Sequence, residues 1–125
     1  MPLDGSEYEV RNRPLDQIDR VIALLATEDK WCKWALQDAD GRRCIVGAMR
    51  EAGASIALNA LIRQAIEQVT GRSCWSIEGF NDRETTTHPL VLGVLHQTRE
   101  NIRAGVINPG RRRPFSWDIS PPGRA

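Results

Sequence analysis

Trp31-Cys32-Lys33-Trp34, followed by Asp40-Gly41-Arg42-Arg43-Cys44-Ile45-Val46-Gly47-Ala48, is the stretch whose reading decides the fold. Asp40-Gly41 is a turn signal, because a tight type I′ turn needs positive φ at both central residues. The flanking residues predict a short hairpin, 35–38 against 43–45, interrupting the helical period. Gly47-Ala48 then opens a helix whose small residues let another backbone come close. Phe80-Asn81-Asp82 answers this segment later in the chain. Asn and Asp side chains bond local backbone N–H groups, which gives that pair a turn-closing role. Ligand binding at Asn81 and Asp82 is the less favoured reading. Pairing of Asp82 with Arg42 or Arg43 would fix the hairpin against the last helix.

Working outward, Pro14 opens a first helix in which Leu15, Ile18, Val21, Ile22 and Leu25 recur every three or four residues. It is expected to reach about Thr27. Ile45, Ala48, Met49 and Ala52 mark a second helix ending at Gly53. Ser55 caps a third, with Leu58, Leu61, Ile62, Ala65, Ile66 and Val69 on its apolar face and Gly71 as its stop. Residues 72–87 read as a connection in which Trp75, Ile77 and Phe80 plug the core. Thr87 or His88 starts a fourth helix carrying Leu90, Val91, Val94, Leu95 and Ile102, closed by Gly105.

The fold expected is therefore mainly α: a compact bundle of about four helices with one small hairpin between the first and second. Residues 13–105 form the single domain, after a flexible lead-in at 1–12. A Pro/Arg-rich tail at 106–125 is expected to be extended or disordered. At 125 residues the chain is long enough to bury a core without a metal or disulfide staple. Trp31 joins Ile18, Leu25, Ile45, Phe80, Val91 and their neighbours in the expected core.

Net charge is +1, but unevenly spread. Residues 1–30 hold seven acidic against four basic side chains, and residues 106–125 hold four arginines against one aspartate. The acidic head and basic tail can attract each other or a neighbouring copy. No apolar run reaches the ~18 residues of a membrane span, and the polar N-terminus does not resemble a signal peptide. A cytoplasmic chain with reduced Cys32, Cys44 and Cys74 is the expectation.

These residues bear on four chemistries. Asp38-Ala39-Asp40-Gly41 imitates a calcium loop, but the twelfth position would be Gly47 instead of a bidentate acid. The cysteines lack the close pairing of structural zinc sites, so no metal and no cofactor is expected. Cys44 at a helix N-terminus is a candidate nucleophile, with His88 as base and Asn81 or Asp82 orienting it. Arg111, Arg112 and Arg113, with Phe115 and Trp117, form a basic-aromatic stretch suited to nucleic acid, although no basic helical face supports it. The leading expectation is a non-enzymatic binding or protein-interaction domain that engages a protein partner or itself. A thiol-dependent enzyme and a nucleic-acid accessory protein are the alternatives.

The order Trp31, Gly41-x-x-Cys44-x-x-Gly47-Ala48, Asn81-Asp82 and a final amphipathic helix resembles a family of short, uncharacterised bacterial and phage proteins known as a domain of unknown function. Its pattern runs Trp, then Gly-Arg-x-Cys-x-x-Gly-Ala, then Trp-Asn-Asp. Here Phe80 stands where Trp is usual, and the resemblance spans about residues 15–104. It implies a compact helical domain and supplies no reaction, ligand or catalytic residue.

Overall fold

The structure, a computed structural model, describes residues 13–105. The lead-in at 1–12 and the tail at 106–125 lie outside the described residues. Among the described residues five α-helices follow in order: α1 (Pro14–Leu24), α2 (Ile45–Ala52), α3 (Ile56–Thr70), α4 (Ile77–Asp82) and α5 (His88–Arg103). A single 3-10 turn, Glu28–Lys30, leads out of α1.

Helix boundaries follow local chemistry. Pro14 begins α1, where its missing N–H costs nothing. Cys44, Ser55, Ser76 and Thr87 cap α2, α3, α4 and α5, each side chain accepting a first-turn N–H. Gly53 and Gly71 close α2 and α3 in the left-handed conformation, at φ +72° and +77°.

The first helix is shorter than its apolar stripe suggests. Leu25 leaves helical geometry at φ −118°, and its carbonyl receives the buried His88 Nε2–H at 2.8 Å. A contact 63 residues away thus ends a helix that periodicity would have continued.

Helix α5 packs against both α1 and α3, α2 lies on α1, and the short α4 bridges α2 and α3. Their shared core includes Ile18, Val21, Leu25, Ile45, Leu58, Leu61, Ile62, Ile66, Phe80, Val91, Val94 and Leu95, all fully buried. Each large side chain there contributes roughly 1.5–3 kcal/mol by leaving water. Polar ties fix how the helices sit. The Arg20 guanidinium donates twice to the Ala52 carbonyl, at 3.1 and 3.0 Å, satisfying an orphan acceptor at the end of α2. Gln17 Oε1 accepts from the Ser55 N–H and hydroxyl, and Arg99 pairs with Asp19 at 2.6 Å.

Several expectations need correction. No strand forms among the described residues; the hairpin shrinks to one isolated antiparallel bridge, Gln37 to Arg43. Arg43 is shared with Trp31 through a parallel bridge, so the strand that would pair with 35–38 is pulled towards the other side. The turn itself exists: Gly41 N–H donates to the Asp38 carbonyl at 3.0 Å, with Gly41 at φ +83°. Asp40 has no positive φ, so this is not the type I′ turn expected.

Trp75 is 97% exposed and plugs nothing, and Val69 lies at the margin of α3 at 39% exposure. The connection 72–87 contains α4, whose six residues are too few to display a helical period.

Candidate functional site

The loop at 31–34, the start of α2 and the end of α4 meet around one buried carboxamide. Asn81 Oδ1 accepts from the Trp31 indole N–H at 2.7 Å and from the Ile45 N–H at 3.1 Å. Its Nδ2 donates to the Cys32 carbonyl at 3.1 Å and to Asp82 Oδ1 at 2.9 Å. Every donor and acceptor of that amide therefore has a partner, which is what full burial demands. Asp82 Oδ1 also accepts the Trp34 N–H at 2.9 Å. Asn81 and Asp82 thus bind segments 36 to 50 residues away, where local turn closure was expected.

The backbones close tightly here. A Cβ on Gly47 would lie 1.9 Å from the Leu36 carbonyl oxygen, so only glycine fits. The Cys32 N–H donates to the Arg43 carbonyl, and the Cys32 thiol donates to the carbonyls of Arg42 at 3.4 Å and Ala35 at 3.6 Å. Arg42 and Arg43 do not reach Asp82. Arg42 pairs with Asp38 at 2.7 Å and Asp40 at 3.7 Å, and Arg43 pairs with Glu51 at 3.5 Å.

The residues of the expected nucleophile constellation are each engaged in a structural contact. Cys44 caps α2 with its sulfur accepting the Gly47 N–H at 3.4 Å, and it is 3% exposed. Burial pushes its thiol pKa up, against the downward pull of the Gly47 and Val46 N–H groups. The Cys32 thiol is raised too, by burial and then by the nearby Asp38 and Cys44. A thiolate is the reactive species, and burial disfavours it at both cysteines. His88 is committed elsewhere: since a carbonyl can only accept, its Nε2 carries the proton bonded to Leu25. Its ring lies 6.0 Å from that of Trp31, tilted by 43°.

The calcium imitation is internally satisfied. Asp38 Oδ1 accepts the N–H groups of Asp40 and Arg42, and Oδ2 takes the Arg42 guanidinium. Among the described residues no group of three or more His, Cys, Asp or Glu is placed to hold a metal ion. Arg111, Arg112, Arg113 and Trp117 lie outside the described residues.

What the sequence did not disclose is Trp34. It sits at φ +73° with its side chain 77% exposed, beside the partly exposed Leu36. A bulky residue in the left-handed region is a true outlier, costing on the order of 1–3 kcal/mol. No sequence signal marks it, because left-handed positions are normally written as Gly or Asn.

The fold and site define a mainly helical domain whose motif residues tie its segments together. A family of unknown function (DUF6197) matches residues 9–101, and the chain belongs to it. No curated protein and no solved structure matches the chain. Among the described residues no helix is long and apolar enough to cross a membrane.

Proposed function

We propose that this chain is a small non-enzymatic protein-interaction domain that presents Trp34, flanked by Leu36, to a protein partner. The observation that carries the reading is the strained and exposed backbone of Trp34. Strain of this kind persists only where the surroundings impose it, and Asp82 imposes it by holding the Trp34 N–H. The preceding residue, Lys33, is tied to the Arg83 carbonyl. The Cys32 thiol donates to the Ala35 carbonyl on the C-terminal side of Trp34, so the loop is held before and after it and docking on Trp34 costs little ordering entropy. Exposed Trp is also the residue type most enriched among binding hot spots.

The competing thiol-enzyme reading has less support, since Cys44 is buried and its thiol is raised. Two measurements separate them. A photo-crosslinking amino acid placed at Trp34 is expected to yield one discrete protein adduct in cells, lost when Leu36 becomes Asp. An adduct no stronger than from the exposed Glu67 position overturns the interaction reading. Alkylation of folded protein near neutral pH is expected to modify Cys44 no faster than buried Cys74; rapid, selective labelling of Cys44 would instead favour the enzyme.

A further inference from the structure

A second apolar surface adjoins α2, on residues that do not include Trp34. Between α2 and α3 runs an open groove of about 250 Å³, walled by Val46, Met49, Ala54 and Ile56 with Asn59 at its edge. Ile56 is 90% exposed there, an unusual position for so large an aliphatic side chain. The rim carries one cation, Arg50, which is exposed and whose guanidinium has no ion pair or hydrogen bond among the described residues. The groove is therefore apolar in its walls and positive at its lip, a match for an apolar segment bearing carboxylates.

The chain holds such a segment, attached beside the groove. Gln17, in the first turn of α1, bonds the Ser55 N–H on the groove wall at 3.1 Å, and Arg20 bonds the Ala52 carbonyl. Arg13, the residue that enters α1, lies one helical turn before Gln17, on the order of 10 Å from that wall. Residues 3–10, Leu-Asp-Gly-Ser-Glu-Tyr-Glu-Val, precede it. They bring Leu3, Tyr8 and Val10 together with Asp4, Glu7 and Glu9, and reach roughly 26 Å when extended. The Arg-rich tail has the charge of Arg50 and is the wrong occupant.

We infer that the α2–α3 groove is the docking site of the chain's own residues 3–10, with Tyr8 and Val10 against Ile56 and Met49, and Glu7 or Glu9 on Arg50. A partner offering the same acidic-apolar pattern would have to displace this segment, which makes the groove a self-covered interaction surface.

The test uses the full-length chain carrying Asn59→Cys as a reporter, since Cys32, Cys44 and Cys74 are buried. Maleimide labelling of position 59 is followed by mass spectrometry at several protein concentrations. Labelling is expected to accelerate severalfold when Tyr8 and Val10 are changed to Ser, and again severalfold for Arg50→Glu. Adding Glu7→Lys and Glu9→Lys to Arg50→Glu is expected to restore slow labelling, which a mere loss of folding cannot do. Equal rates in all variants overturn the proposal. Protection that strengthens with protein concentration overturns it too, because a second copy would then be the occupant.

Discussion

The carboxamide oxygen of Asn81 accepts the Trp31 indole N–H and the Ile45 N–H together, at 2.7 and 3.1 Å, with no exposure to solvent. One side chain thereby joins the loop after α1 to the start of α2. Asn81→Ala would leave two donors and the Cys32 carbonyl without their partner. At ~1–3 kcal/mol for each buried group left unsatisfied, the expected loss is about 3 kcal/mol or more in urea denaturation. Trp31→Phe removes one of these donors, so the double variant should lose about 1 kcal/mol less than the two single losses combined. Additive losses would mean the Asn81–Trp31 bond contributes nothing to stability.

Gly47 and Gly93 provide an internal comparison. Both are helical, and Ala is favoured over Gly in a helix by about 1 kcal/mol. A Cβ at Gly93 meets nothing within 4 Å, whereas at Gly47 it collides with the Leu36 carbonyl. Gly93→Ala should raise thermal stability, by about 0.5–1 kcal/mol. Gly47→Ala should lower it by more than its helix preference returns, about 2 kcal/mol or more, because backbone has to move. Hydrogen exchange checks the cause: protection should fall at residues 35–47 first.

Much of this was legible in the sequence. Ser55, Thr87, Gly53 and Gly71 delimit helices by chemistry confined to one turn, and Gly47 announces a close backbone. The unread features depend on distant partners. His88 ends α1 from 63 residues away, Arg43 divides its backbone between two segments, and Asn81 bonds across the domain. Helix α4 is too short for periodicity, although Ser76 before Ile77 and Phe80 is a capping signal that could have found it. Trp34 was unreadable because its conformation is imposed by Asp82, not chosen by its own preference.

Trp34→Gly should therefore stabilise the protein. Replacing a left-handed non-glycine residue by glycine relieves on the order of 1–2 kcal/mol, and this side chain is mostly exposed, so little burial is lost. Trp34→Ala keeps a Cβ at positive φ and should gain much less. A rise in melting temperature for Gly over Ala, alongside loss of the crosslinked adduct, would show stability given up for a binding surface. Equal melting temperatures would remove strain from the account.

Cys44 sets an alkaline limit. Its folded pKa lies above the ordinary 9.0, first through burial, so the unfolded chain releases the proton more readily. The stabilisation is full below pH 9.0 and is lost as pH rises towards the folded value. Cys32 is raised in the same direction. Cys44→Ser keeps an acceptor for the Gly47 N–H and should flatten the decline above pH 9 without abolishing it. An unchanged slope would mean the thiol ionises as freely folded as unfolded.

Asp38 sets the acid limit, with the opposite sign. Partial desolvation acts upward on its carboxyl, but the N–H of Arg42, the Arg42 guanidinium and the N–H of Asp40 together hold it below the ordinary 3.8. The unfolded chain thus takes up the proton first as pH falls. The contribution of Asp38 is complete above about pH 4–5 and disappears as pH drops through 3.8 towards the lower folded value. Asp38→Asn cannot accept the guanidinium as a charged partner and should be less stable than the parent at pH 7. The gap should narrow steadily below pH 4, because protonation then costs the parent the same interaction. A gap that stays constant from pH 7 to pH 3 would mean that the charge of the Asp38 carboxylate contributes nothing to the turn at 38–42.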